Sequence, residues 1–397
     1  MVRPLRPRTT ARTIGIIGPS LRRLETGMRL DTVLLKVTSR CNINCSYCYV
    51  YHHGDTSWQH MPKHMSIATV GDVVTQLATL YEDQQHPFAI VLHGGEPLLL
   101  PRNILELLLQ GLADRLPATC GRAIQTNGML IDDDLLELCV RTNTTLSVSL
   151  DGPADVNDAF RIAFNGDGTH ARAVAGIECV QQHPQASRLF TGALCVVDPQ
   201  SSARRVYEFF KSLNVPSVDF LFKDGNHVSL PPGKTAVEST EYGSWLAEIW
   251  DLYISDPAPP RIRVLDDFGR LLLGGASTKE GCGQTLYGIA VIDTDGTVTK
   301  NDTLKSTYNG ADRFEELWSV SEDRLYDIAS SPEFLQYAQM QQPTSPVCQA
   351  CSLLSVCGGG MPLSRWHPET GLANPSVYCA DYKLLIGHMQ ETLKIYR

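Results

Sequence analysis

From residue 32 onward the apolar positions follow two periods in turn. Short runs with every second residue apolar, or nearly all apolar, occur at 32–37, 88–93, 122–126, 145–150, 189–197 and 218–222. Such runs predict strands. Between them, apolar residues recur every three or four positions. In 66–81, Val70, Val73, Val74, Leu77 and Leu80 fall on one helical face, and 102–114, 132–141, 171–182 and 201–213 behave similarly. Six strand-then-helix units predict an α/β fold with a parallel sheet, either an open barrel or a doubly wound sheet. Both place the functional site at the C-terminal ends of the strands.

The pattern stops near His227. Pro231 and Pro232 follow, then a helical stretch at 239–254, then Asp256-Pro-Ala-Pro-Pro260. From about Gly281 the character changes to a hairpin pattern at 289–299, turning at Asp293-Thr-Asp-Gly296, then cysteine-rich loops and a final helix. This divides the chain into a tail (1–30), a β/α body (31–228), a bridge (229–280) and a cysteine-rich C-terminal domain (281–397).

Composition narrows the function. Apolar residues make up 43% and charged residues 19%, as in ordinary soluble proteins. No apolar run approaches the roughly 20 residues of a membrane span, and the patch at 14–17 is too short for a signal-peptide core. A cytoplasmic protein with no membrane partner is expected. A net charge of −9 argues against a nucleic-acid partner. Residues 1–30 carry seven Arg and one Glu, about +6, which leaves about −15 on the rest. That segment reads as a disordered basic tail or as a clamp for an acidic peptide.

Twelve cysteines in a cytosolic chain do not suggest a disulfide framework. Seven form two groups, Cys41, Cys45, Cys48 and Cys348, Cys351, Cys357, Cys379. Such clustering favours metal sites. Cys120, Cys139, Cys179, Cys195 and Cys282 are scattered and read mostly as core residues.

The first group, in Thr38-Ser-Arg-Cys41-Asn-Ile-Asn-Cys45-Ser-Tyr-Cys48, directly follows the first strand. Three thiolates so spaced can hold three irons of a [4Fe–4S] cubane and leave the fourth open for a ligand. The alternative is a zinc ion on the same cysteines with His52 or His53; with His60 and His64, these histidines otherwise read as loop residues. Further candidates end successive strands: His93-Gly94-Gly95-Glu96-Pro97, Gln125-Thr-Asn127-Gly128 and Ser149-Leu-Asp151-Gly152-Pro153. Glycines there let backbone approach a ligand closely, and a carboxylate can accept from an ammonium group. Ser149 and Asp151 also suit turn capping. The second group, Cys348-x2-Cys351-x5-Cys357 with Cys379, is a four-thiolate set for a cluster or a zinc knuckle.

The loop with Cys41, Cys45, Tyr47 and Cys48 resembles the radical S-adenosylmethionine (SAM) superfamily. The resemblance implies a partial (β/α)6 barrel whose open iron chelates SAM, and a 5′-deoxyadenosyl radical that takes a hydrogen atom from substrate. It implies that Gly94, Gly95 and Glu96 hold the SAM amino group, with Tyr47, Asn127, Ser149, Asp151 and Arg161 completing the site. Arg161 would pair with the SAM carboxylate or with substrate.

The second group resembles the branch with a SPASM extension. There Asn301 and Met361 stand where that branch has cysteines of a first auxiliary cluster, so Cys282 is left without partners and is not expected to be a ligand. The second auxiliary cluster keeps Cys348, Cys351, Cys357 and Cys379. One SAM-binding cluster and one auxiliary [4Fe–4S] cluster are therefore expected.

The segments Asp219-Phe-Leu-Phe-Lys-Asp-Gly-Asn-His227, Asn301-Asp-Thr-Leu-Lys305, Cys357-Gly-Gly-Gly-Met361 and Asn374-Pro-Ser-Val-Tyr-Cys379-Ala-Asp381 resemble the FxsB-type and three-residue cyclophane-forming peptide maturases. The resemblance spans 31–390. It implies a ribosomally made precursor peptide as substrate, joined by an aryl-to-Cβ carbon–carbon bond, and a reducing donor such as flavodoxin or ferredoxin. Thirty N-terminal residues are too few for a separate leader-binding domain. Rearomatisation needs a base, and the resemblance points to Asp302, which follows the missing-cysteine position, with a pKa expected to be raised by burial; the alternative is that Asp302 caps the turn before Thr303. The alternatives are another radical outcome (formylglycine formation, epimerisation, thioether or ether linkage, ring contraction) or a non-catalytic peptide-binding scaffold.

Overall fold

The computed structural model describes residues 28–277 and 279–394. The basic segment expected at 1–30 therefore lies, up to residue 27, outside the described residues.

All six expected parallel strands form. They are β1 (Thr32–Thr38), β3 (Ala89–Gly94), β4 (Arg122–Thr126), β5 (Thr144–Ser149), β7 (Phe190–Val196) and β8 (Ser217–Leu221), with the short β2 (Ile43–Cys45) and β6 (Arg161–Ala163) pairing apart from them. The helices that follow bury the faces read from the sequence. In α1 (Ile67–Gln84), Ser66 Oγ accepts from the Thr69 N–H, and Val70, Val73, Val74, Leu77 and Leu80 are buried. Asp132 caps α3 (Asp133–Arg141) in the same way, while α2 (Arg102–Arg115), α4 (His170–Gln182) and α5 (Ala203–Ser212) complete the outer layer.

Strand order settles the choice between sheet types. The parallel strands lie side by side in chain order, β1-β3-β4-β5-β7-β8. A doubly wound sheet reverses order at a switch point; this one winds in one direction, as a barrel does. Alternation divides each strand. Val33, Leu35, Val37, Ile90, Leu92, Ile124, Leu146 and Val148 join the helix-covered core. Their neighbours, including Leu34, Val91, His93, Gln125, Ser147 and Ser149, face a cavity on the other side.

The later regions extend the same sheet. β9 (Arg261–Ile262) pairs parallel with β8. The expected hairpin forms as β10 (Ile289–Ile292) and β11 (Thr297–Thr299), and β10 pairs parallel with β1 from Thr32↔Ile289 to Leu35↔Ile292. β12 (Trp318–Ser319) adds the outermost strand. Helix α6 (Glu241–Ser255) packs on the final helix α8 (Cys379–Thr392), and α7 (Arg263–Leu272) lies between them in sequence. One buried latch joins α6 to α8: Asp381 accepts from the Lys234 ammonium at 2.6 Å and from the Gly243 N–H at 2.8 Å. It anchors the helix that begins with Cys379. Among the described residues, no helix is long and apolar enough to cross a membrane.

Candidate active site

The loop after β1 brings Cys41, Cys45 and Cys48 to one end of a cavity of about 780 Å³. Ser39 secures its start, donating its N–H to Lys63 O and its hydroxyl to Pro62 O. The Cys48 N–H closes a turn on Cys45 O at 3.0 Å. Pairing of β2 with β6 sets Cys45 directly opposite Arg161. Burial pushes the Cys41 thiol up to about 12 and the Cys48 thiol up to about 11. It also raises Cys45, with the Arg161 charge working against it. Protonated thiols held this way ionise when a metal takes them as ligands.

Gly94 and Gly95 end β3 against this loop. Gly94 has φ +128, and a Cβ on Gly95 would overlap Arg40 O and the Tyr51 hydroxyl. The glycines thus let strand and cluster loop meet backbone to backbone, where a ligand approach was expected. Glu96 is buried: Oε1 accepts from Leu98 N and Thr126 Oγ1, and Oε2 from Asn127 N. Burial raises its pKa against these bonds. Asn127 also donates from Nδ2 to Asn42 Oδ1 at 2.7 Å, and Gln125 donates to Ser149 Oγ at 2.8 Å.

Tyr47 and Arg161 line the same cavity, whereas Asp151 does not. Tyr47 Oη donates to Asp151 Oδ2 at 2.5 Å and accepts from Arg161 Nη1 at 2.8 Å, while Asp151 Oδ1 accepts from Val196 N. Through these bonds Asp151 helps to hold Tyr47 and, through it, Arg161 in place.

Asp302 lines the cavity too, but the expectation of a raised pKa is not met. Its Oδ2 lies 3.0 Å from Lys36 Nζ and accepts from Tyr49 Oη at 2.9 Å. Against the cost of burial, the Lys36 charge, with His93 next, holds the carboxyl down at about 2. A carboxylate so stabilised is a weak base. Two other cavity carboxyls have the expected property. Asp224 and Glu280 are each pushed up to about 7, first by burial and also by the Asp302 charge. Ser306 Oγ donates to Asp224, and Asn301 Nδ2 to Glu280 at 2.7 Å. Asn301, which replaces an expected cysteine, is thus engaged with a carboxyl, and Met361 packs against Gly281.

The four later cysteines surround their own cavity, of about 30 Å³ and almost wholly apolar, with Leu353, Tyr382 and Ile386 in its wall. None of the twelve cysteines is in a disulfide. Among the described residues, no three His, Cys, Asp or Glu side chains close on one point as a single ion requires. A cubane is a larger body, with its cysteines around it.

Residues 35–201 match the radical SAM superfamily. The chain carries a radical SAM domain. Two relatives extend the likeness over most of its length. The serine-type anaerobic sulfatase-maturating enzyme of Bacteroides thetaiotaomicron is 25% identical over 91% of this chain and 89% of its own. The cysteine-type enzyme of Clostridium novyi is 21% identical over 89% and 93%. The solved structure of anSMEcpe with bound AdoMet superposes with a TM-score of 0.77 at 19% identity, covering 91% of this chain and 98% of that one. Streptococcus suis SuiB bound to precursor peptide SuiA gives 0.61 at 12% identity, covering 86% and 74%.

Radical SAM enzymes take a [4Fe–4S] cluster and SAM, and the residues here fit both. Three thiols without disulfide partners offer three ligands. The buried Glu96 carboxylate, which already accepts from Leu98, Thr126 and Asn127, could accept from an ammonium group as well.

Sequence reasoning missed Lys36, Tyr49, Asp224 and Glu280. Lys36 had a signal, being the one charged residue of an apolar strand, and Tyr49 follows Cys48 directly. Asp224 stood inside a segment already singled out. Glu280 had no local signal.

Proposed function

We propose that this chain is a radical SAM peptide maturase that joins an aromatic ring carbon to the Cβ of a nearby residue in a ribosomally made precursor peptide. One observation carries the reading. A single cavity is lined by Cys41, Cys45 and Cys48, by the apolar side chains of Phe220, Phe222, Leu246, Phe268 and Tyr378, and by the carboxyls of Asp224 and Glu280. The wall suits an aromatic side chain, and the two carboxyls suit a proton that must leave it. The names of the sulfatase-maturating relatives and of peptide-bound SuiB support a peptide as the substrate.

When bound, SAM and its cluster supply a 5′-deoxyadenosyl radical that takes the Cβ hydrogen atom, and a cluster at Cys348, Cys351, Cys357 and Cys379 supplies the acceptor for one electron. The new Cβ–aryl bond thus replaces one Cβ–H and one aryl C–H bond. The remaining proton falls to this chain's own residues. Asp224 or Glu280, not Asp302, takes it; the ionised Asp302 raises both, so its charge prepares them. Glu96 would hold the SAM ammonium group, and Arg161, fixed by Tyr47, would pair with its carboxylate.

The relatives' names favour a second reading, oxidation of a peptide Ser or Cys to formylglycine. Mass alone does not separate the two, since crosslinking and serine oxidation each remove two hydrogens. The test is incubation of reduced enzyme with SAM and the precursor encoded beside it. A carbon–carbon crosslink gives a product that resists fragmentation between the joined residues and shows an aryl-to-Cβ correlation by NMR. A product that fragments normally and reacts with a hydrazide would sink the crosslink and support formylglycine. No change in mass would sink both.

A further inference from the structure

Arg365 is fully buried, yet two of its donor atoms have no partner. Its Nη2 donates to Met340 O at 2.6 Å and to Gln341 O at 3.3 Å, while Nε and Nη1 have no hydrogen-bond acceptor. No carboxylate forms an ion pair with it among the described residues. A guanidinium is always charged, and a buried charge with neutral partners alone is strongly unfavourable. Something anionic belongs beside it.

The fold shows where. Gly358, Gly359 and Gly360 have φ of +67, +84 and +69, so the chain leaving Cys357 turns back at once. This turn is confined on both sides. A Cβ on Gly358 would overlap Gly283 O, and one on Gly359 would meet the Pro343 ring at 2.7 Å. Gly359 lines the four-cysteine cavity, Met361 the large one, and Tyr382 both. The segment from Cys357 to Ser364 therefore contributes to the walls of both cavities, and Arg365 follows it directly. Burial lowers the Arg365 pKa to about 10, and Cys348, Cys357 and Glu280 lie near enough to work against that shift. Asn301 already donates to Glu280.

Four thiolates around a [4Fe–4S] core leave a net negative body whose sulfurs accept hydrogen bonds. We infer that Arg365 is the counter-charge of the auxiliary cluster, its free N–H groups donating to sulfur and its charge holding the cluster's reduction potential up. Arg365 is thus a positioning residue, placed to favour electron acceptance by the cluster. The inference rests on the four-cysteine centre and not on which bond the enzyme makes.

The test uses the full chain, reconstituted anaerobically with iron and sulfide, with Cys41, Cys45 and Cys48 all changed to Ala so that one cluster remains. Redox titration followed by EPR should give a lower potential in Arg365→Gln than in the parent, with Arg365→Lys in between. An Arg365→Gln protein with full iron and an unshifted potential overturns the inference. If Arg365→Gln takes up no iron, thermal unfolding of the metal-free proteins decides. Removing an unpaired charge should leave the metal-free variant as stable as its parent or more so. A metal-free variant that melts well below its parent shows that Arg365 serves only to tie down Met340 and Gln341, and overturns it. If the parent itself binds no iron, the four-cysteine cluster falls, and the inference with it.

Discussion

Lys36 and Asp302 form a buried ion pair, Nζ to Oδ2 at 3.0 Å, that ties the first barrel strand to the turn after β11. Asp293 stands at 4.0 Å from the same ammonium. Asp302 is held down at about 2 from its ordinary 3.8. A depressed carboxyl contributes stability that is present above its unfolded pKa and lost as pH falls toward the folded one. This pair should therefore cost the protein about 2 kcal/mol between pH about 4 and about 2. Lys36→Met leaves two buried carboxylates without a cation and should destabilise by about 3–5 kcal/mol. Lys36→Met with Asp302→Leu should recover part of that. Urea unfolding of both variants checks this; equal destabilisation would mean the pair is not coupled.

Asp224 and Glu280 run the other way. Each is raised to about 7, from 3.8 and 4.5. A raised carboxyl contributes stability below its unfolded pKa that is lost as pH rises through the folded one. The metal-free protein should lose stability between pH about 4 and about 7, and Asp224→Asn or Glu280→Gln should each flatten that slope. In turnover, the variant lacking the true base should lose about 10²-fold or more in product formation. It should still cleave SAM, and the limb of its pH profile near 7 should vanish. Full activity in both variants would leave the proton without a carrier.

Much of this site was legible along the chain, and the reason is local. Cys41, Cys45 and Cys48 sit in one loop, and Gly94 to Glu96 follow one strand, so each forms a local pattern whose role the family resemblance supplies. The six β/α units showed in their periodicity because helix-facing strand positions such as Val33 and Leu35 must be apolar. Pairings across long sequence distances were not legible. Nothing near Lys36 names Asp302 as its partner, and nothing near Asp302 warns that a cation will lower its pKa. The same holds for Asp151, whose partners Tyr47 and Val196 come from distant parts of the chain. β9 and β10 join the barrel sheet by pairing that no local pattern encodes.

Gly95 tests the contact between the second parallel strand and the cluster loop. A Cβ there would overlap Arg40 O and the Tyr51 hydroxyl, and backbone cannot rotate out of the way as a side chain can. Gly95→Ala should push the loop off β3, cost about 1–3 kcal/mol and lower the iron held at Cys41, Cys45 and Cys48. The four-cysteine centre, which lines a different cavity, should fill normally. Iron analysis and the thermal melt report both effects; a variant with full iron at both centres would show that the loop tolerates the displacement.

The two cysteine groups should fail differently. Cys45 lies opposite Arg161 in the β2–β6 pair, at the cavity end where SAM must bind. Cys45→Ala removes one of three ligands to a cluster that has no protein ligand to spare, so 5′-deoxyadenosine formation should stop altogether. Cys348 and Cys379 line the separate apolar cavity. Cys348→Ala or Cys379→Ala should halve the iron, from about eight to about four atoms per chain, and leave SAM cleavage measurable. If the four-cysteine centre is the electron acceptor, these variants should form 5′-deoxyadenosine without the oxidised peptide. Chromatography of the nucleoside and mass spectrometry of the peptide from one reaction make the comparison. Full peptide conversion by Cys348→Ala would remove the centre from the electron path, and the crosslinking chemistry would then need another oxidant.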